Sequence, residues 1–151
     1  MSRRRAIAVI GPGQADAREQ ATAREVGRLL AEAGLVVLTG GLGGVMESAS
    51  RGAADAGGTV VGVLPGDDAD SANPFVGIAV PTGMGQARNA VLINSADAVI
   101  AIGKGYGTLS EIAIALRAGK RVVGIGTWEI AGVRVVTSSK EAVDAVLGGS
   151  A

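Results

Sequence analysis

The chain contains neither cysteine nor histidine. Their absence removes thiol nucleophiles, the Ser-His-Asp triad, the usual zinc ligands and imidazole acid–base catalysis. Any chemistry must come from Asp, Glu, Arg, Lys, Ser, Thr or Tyr, and no metal site is expected. A chain without thiols also fits a cytoplasmic location. Aromatic residues are nearly missing, with one Phe (Phe75), one Tyr (Tyr106) and one Trp (Trp128), which argues against base-stacking platforms. Charge of one sign is missing too. Lys+Arg and Asp+Glu both number 14, for a formal net charge of zero, so nothing pulls the chain toward nucleic acid or an anionic membrane. Long hydrophobic runs are absent. Arg3-Arg4-Arg5 precedes the apolar stretch Ala6–Ile10, but Gly11-Pro12-Gly13 ends it, too soon for a signal-peptide core. No stretch approaches the roughly 18 apolar residues of a membrane span.

What is present is a globular composition of 151 residues, 48% hydrophobic and 19% charged, the size of one domain with a real core. Short β-branched runs alternate with longer segments of helical period. The runs Ala6–Ile10, Leu35–Thr39, Thr59–Leu64, Val76–Val80, Ala98–Ile102, Arg121–Ile125 and Val133–Val136 read as strands, most of them continuously apolar as in a parallel sheet covered on both faces. Helices are expected near Ala15–Ala33, Gly44–Ala56, Gln86–Ser95, Thr108–Ala118 and Lys140–Leu147, with Gly34 a stop signal after the first. This alternation predicts a single Rossmann-like, doubly wound α/β domain over residues 1–151. Its sheet is mostly parallel, of about seven strands, with helices on both faces.

In such sheets ligands bind beyond the carboxyl ends of the strands. Those ends are glycine-rich here: Gly11-Pro12-Gly13, then Gly40-Gly41-Leu42-Gly43-Gly44, then Gly103-Lys104-Gly105-Tyr106-Gly107. Glycine at a strand–helix junction can serve tight turns and close packing alone. Two clusters that each open a helix also suit anion binding by exposed N–H groups. A dinucleotide fingerprint needs a third glycine, and Asp16 and Thr108 occupy that position in the two candidate loops. No Gly-Lys-Ser/Thr follows a four-residue spacer, so a P-loop is excluded as well.

Two side chains stand beside these loops. Thr108-Leu-Ser-Glu111 has capping-box spacing, with Thr108 as N-cap and Glu111 reaching back. Ser138-Ser-Lys-Glu141 repeats that spacing away from any glycine cluster, so Glu111 reads as a cap, a catalyst or both. Arg88, in Met84-Gly-Gln-Ala-Arg88-Asn89, opens the helix before the strand that delivers Gly103. It can clamp a phosphate or carboxylate bidentately, or form a surface ion pair.

Together, Gly103-x-Gly-x-Gly-Thr-x-x-Glu111 and the upstream Met84-x-x-x-Arg88 resemble the signature of the Lonely Guy (LOG) family, once labelled lysine decarboxylase-like. The run from Thr39 to Ala53 is similar to that family's second glycine loop, and the likeness is closest to the short molybdenum-cofactor carrier branch. The resemblance implies a Rossmann-like homodimer or homotetramer that binds a nucleoside 5′-monophosphate or a similar small phosphorylated ligand. LOG enzymes cleave the N-glycosidic bond of such nucleotides to free base and ribose 5-phosphate, and their functional Arg and Glu match Arg88 and Glu111. The phosphate would rest on Gly105, Gly107 and Thr108, with Gly40 and Gly41 as the opposite wall, and Gly11, Pro12, Gly13, Met84 and Gly103 completing the rim. Two departures stand out: Ile102-Gly103-Lys104 replaces Pro-Gly-Gly, and Asn89 follows Arg88 where the enzymes carry Lys.

Two functions follow from the resemblance. A phosphoribohydrolase would need no cofactor and would use Glu111 to stabilise an oxocarbenium-like state. A non-catalytic carrier would hold the phosphate and pterin of molybdenum cofactor, or a signalling nucleotide, and Lys104 would add charge against the phosphate. Val91, Leu92 and Ile93, with Leu109, Ile112, Ala113, Ile114 and Leu116, offer more apolar surface than one sheet face needs. A symmetric dimer through these helices is expected, with a tetramer as its further assembly. A monomeric mass by light scattering at micromolar concentration refutes it.

Overall fold

The structure, a computed structural model, describes residues 2–148. Strands β1 (Ala6–Ile10), β2 (Val36–Thr39), β3 (Val60–Leu64), β4 (Ile78–Pro81), β5 (Ala98–Ile102), β6 (Arg121–Ile125) and β7 (Val133–Val135) form one sheet in the order β4-β3-β2-β1-β5-β6-β7. All six pairings are parallel. The order grows outward from β1 in both directions, so the fold is doubly wound and its switch point lies between β1 and β5.

Side chains alternate across the sheet, and each face has its own core. Ile7, Val9, Val37, Ile100 and Val123 pack under α1 (Ala17–Glu32), α2 (Val45–Asp55) and α5 (Ser139–Leu147). Ala8, Ile10, Leu38, Val63, Val99 and Val122 pack under α3 (Arg88–Ser95) and α4 (Tyr106–Arg117). The continuously apolar β1 and β5 are fully buried, as their composition requires. β4 differs: it starts at Ile78, not Val76, and as an edge strand it leaves Ile78 and Val80 exposed. The long loop after β3 contains a 3₁₀ turn at Ala69–Ser71, capped by the Asp68 carboxylate. Leu92, Ile93 and Ile112, read as surplus apolar surface, are buried in the intramolecular core. Val91, Leu109, Ile114 and Leu116 are only half-buried and Ala113 is exposed.

Every helix begins at the carboxyl rim of the sheet, and the five starts fall into two groups. Asp16 caps α1 in a capping box with Glu19, and Ser138 caps α5 by accepting from the Glu141 amide. By contrast α2, α3 and α4 start at Gly44, Ala87 and Gly105 with no side-chain cap. The start of α2 is held by the first glycine loop, where the Val45 amide donates to the Pro12 carbonyl at 3.1 Å, and its body packs on the backbone of α1. A Cβ on Gly52 would lie 1.9 Å from the Arg24 carbonyl oxygen, and one on Gly27 would lie 2.0 Å from that of Ala49. The two helices therefore cross at a distance only glycine permits.

This close crossing separates two kinds of glycine. Gly52→Ala should cost about 3 kcal/mol or more, because neither backbone can yield without moving a helix. Gly34→Ala meets no atom and changes only a left-handed φ of 79°, so it should cost about 1 kcal/mol. Urea midpoints of the two variants test the ranking.

Candidate functional site

Past the ends of β1, β2 and β5 lies a cleft of about 280 Å³. Gly11, Pro12 and Gly13 form one wall, Gly40, Leu42 and Met46 another, and Gly105, Tyr106, Gly107 and Thr108 a third. Gln86, Arg88, Asn89 and Glu111 complete it. The three uncapped helix starts border this space, whereas Asp16 of the capped α1 lies outside it. The N–H groups of Tyr106, Gly107 and Thr108 form the first turn of α4, where no earlier helical carbonyl exists to receive them.

The expected capping box at Thr108 does not form. Because Gly105 in extended backbone already serves as N-cap, Thr108 falls at the third helical position and Glu111 one turn further in. Thr108 is only 2% exposed, and its buried Oγ1 has no hydrogen-bond partner. A buried hydroxyl without a partner is costly, and Thr108 is one of the residues that line the cleft. A side chain at Gly107 would meet nothing within 4 Å, so the space above the first turn is open.

Arg88 is not a surface ion pair. It is 6% exposed and held on three sides: Nε donates to the Val63 carbonyl at 2.9 Å, one terminal nitrogen to the Gly40 carbonyl at 3.4 Å, and the other to Asn89 Oδ1. Gly40 is required here, since a Cβ would lie 2.7 Å from both the Arg88 terminal nitrogen and the Met46 sulfur. Asn89 Nδ2 then donates to Ser110 Oγ at 3.0 Å, and Ser110 donates to the Gly107 carbonyl at 2.7 Å. One chain of hydrogen bonds thus joins the guanidinium to the glycine turn of α4. Asn89 stood out in the sequence only as a departure from the Arg-Lys of the enzymes, and Ser110 carried no signal.

Glu111 is 7% exposed. Burial pushes its carboxyl up to about 7, and the nearby Arg88 charge only partly opposes this. Burial likewise lowers the Arg88 value against the pull of Glu111. The two influence each other, yet none of the ion pairs among the described residues joins them. The cleft therefore holds a fixed cation and a carboxyl that keeps its proton to higher pH than an ordinary glutamate.

Four expected site residues lie elsewhere. Gly41 packs its left-handed backbone on Leu64, behind the wall. At Gly103 the place of a side chain is taken by Glu19 Oε2, 2.1 Å from a would-be Cβ, so this glycine faces α1. The kink there leaves Lys104 exposed and outside the cleft lining. Met84 is 50% exposed and also outside it. The loops bring Gly11, Pro12, Gly13, Gly40, Arg88, Gly105, Gly107, Thr108 and Glu111 together. Leu42, Met46, Gln86 and Tyr106 join them without having been expected.

Fold and cleft define a Rossmann-like α/β domain with a glycine-walled site at its switch point. The sequence model of the SLOG cluster4 family matches residues 4–147, and the chain belongs to that family. It is 47% identical to an uncharacterized protein of Archaeoglobus fulgidus over 145 residues, 95% of each chain. Among solved structures it is similar to the molybdenum cofactor binding protein of Rippkaea orientalis, with 36% identity, TM-score 0.93 and 98% of both chains covered. It is also similar to the molybdenum cofactor carrier protein of Chlamydomonas reinhardtii, with 36% identity and TM-score 0.87 over 97% of this chain and 98% of that one. The resemblance to the LOG-like superfamily and its carrier branch holds.

The Glu111 carboxyl gives stability a specific pH dependence. Its folded value of about 7 lies above the ordinary 4.5, so the folded state holds this proton more tightly than the unfolded chain does. That contribution is complete below pH 4.5 and is lost as pH rises through 7. Glu111→Gln, which cannot ionise, should match the parent near pH 4 and exceed it by about 3 kcal/mol near pH 8. Urea unfolding of both proteins across this range checks it, and a constant difference would contradict the buried proton.

Proposed function

We propose that the cleft holds the phosphate and pterin of molybdenum cofactor as cargo, without turning it over. The observation that carries this reading is the Thr108 hydroxyl, buried and without a partner beside the uncapped first turn of α4. A phosphate would accept from that hydroxyl and from the amides of Tyr106, Gly107 and Thr108, in the positive field of a helix start. Arg88 supplies a fixed charge, and the Val63, Gly40 and Asn89 contacts keep it oriented before any ligand arrives. The likeness to two proteins described as binding or carrying this cofactor, over nearly the whole chain, supports the same cargo here. The half-buried Val91, Leu109, Ile114 and Leu116 leave some apolar surface that would suit assembly of the carrier as a symmetric dimer.

A LOG-like phosphoribohydrolase is the second reading, and Glu111 is the observation that favours it. A carboxyl of about 7 can protonate a leaving base at neutral pH. Glycosidic cleavage ordinarily divides the work between two carboxyl groups, however, and Glu111 is the only one among the residues that line this cleft. Once Glu111 acts as the acid, no carboxylate there is left to stabilise the oxocarbenium charge. Lys104 is exposed and lies outside the lining of the cleft.

Molybdenum cofactor released from a donor enzyme should co-elute with the protein on gel filtration, followed as molybdenum and phosphate. Thr108→Val, which keeps the shape and removes the hydroxyl, should weaken retention about tenfold. Nucleoside 5′-monophosphates should yield no free base. Release of base and ribose 5-phosphate, abolished in Glu111→Gln, would establish the hydrolase instead.

A further inference from the structure

Two of the three aromatic residues of this chain are stacked on each other beside the cleft. Tyr106, the first residue of α4, lies with its ring centroid 6.2 Å from that of Trp128 at an interplanar angle of 24°. Trp128 is half-buried, and its indole N–H donates to the Gly105 carbonyl at 3.0 Å. Tyr106 itself is 85% exposed. Among the large apolar side chains exposed in the described residues, Tyr106 alone lines the cleft.

We propose that the exposed ring of Tyr106 is a stacking platform for the planar heterocycle of a phosphate-bearing ligand, an inference that rests on the phosphate site of the preceding reading. The indole lies beside the phenol in a near-parallel orientation, and most of the phenol is open to a ligand. The indole is held by its bond to the N-cap carbonyl and gives the phenol an oriented aromatic neighbour beside the cleft. That same carbonyl begins the turn whose amides face the phosphate position. Tyr106 and Thr108 are two residues apart on one helix, about 3 Å along its axis. Both residues line the cleft and belong to one helix, so the ring site and the phosphate site move as one rigid unit. Aromatic scarcity argues against a platform for a nucleic-acid strand, which needs several rings in a row. A single ring with an aromatic neighbour suits one heterocycle.

The test is calorimetric titration of the full chain with three probes: a pterin monophosphate, AMP and glycerol 3-phosphate. The parent should bind the pterin monophosphate at least about tenfold more tightly than glycerol 3-phosphate, the scale of one stacking contact. Tyr106→Ala should erase that preference while glycerol 3-phosphate binds as before, and Tyr106→Phe should keep it. An equal preference for AMP also supports the platform and leaves the choice of heterocycle to contacts at the ring's edge. If Tyr106→Ala retains the preference, or if the parent binds all three alike, the platform is overturned and the phosphate site stands. If the parent binds none of them, the phosphate site fails and the platform with it. If Tyr106→Ala lowers the mass in light scattering and weakens all three probes equally, Tyr106 is a subunit contact and the proposal is overturned.

Discussion

A helix that starts without a side-chain cap leaves its first N–H groups to water or to a ligand, and the geometry of this rim follows from where that happens. α1 and α5 satisfy their own starts through Asp16 and Ser138. The other three lack a side-chain cap and border the cleft. Of these, α3 continues a 3₁₀ turn at Gly85–Ala87 whose carbonyls receive the Arg88 amide, and α2 gives its Val45 amide to the Pro12 carbonyl. The open first turn is that of α4. The glycines follow from the same constraint. Gly11 and Gly40 allow close approach at the strand ends, Gly44 lets the start of α2 sit against the Pro12 carbonyl, and Gly27 and Gly52 let the bodies of α1 and α2 cross closely.

Arg88 shows how the cleft keeps a buried cation without a matching carboxylate. Its donors go to two carbonyls and an amide oxygen, which offset part of the desolvation and add no charge. An ion pair with Glu111 would neutralise the site and compete with an anionic ligand. Instead the carboxyl takes up a proton near neutrality, and the positive character of the cleft is kept. The relay through Asn89 and Ser110 makes the guanidinium and the α4 turn one mechanical unit across two helices.

Much of this was legible in the sequence, for reasons tied to particular residues. Continuous apolar runs such as Ala98–Ile102 leave no alternative to burial on both faces, so the parallel sheet could be read directly. Glycine clusters marked the rim, and Arg88 and Glu111 stood beside them. Spacing could not say which residue of Gly105-Tyr106-Gly107-Thr108 begins the helix. A shift of three positions turned Thr108 from a cap into a buried, unpaired hydroxyl. Nor could it reveal that Gly103 kinks toward Glu19 and leaves Lys104 outside the cleft lining, because that contact joins elements 84 residues apart in sequence, as their numbering shows. Tyr106 and Trp128, counted only as scarce aromatics, met through tertiary packing.

The lack of thiol and imidazole carries a kinetic consequence for a carrier. Cysteine and histidine are the side chains that form strong, slowly exchanged bonds to soft and borderline metals, and this chain has neither. Under the proposed function the cargo is gripped through its phosphate and ring, and no thiolate or imidazole of the protein binds its metal. Hydrogen bonds to amides and a hydroxyl exchange with water one at a time, so handover to a recipient breaks no thiolate or imidazole bond to the metal. Delivery would then be timed by how fast water reaches the first turn of α4.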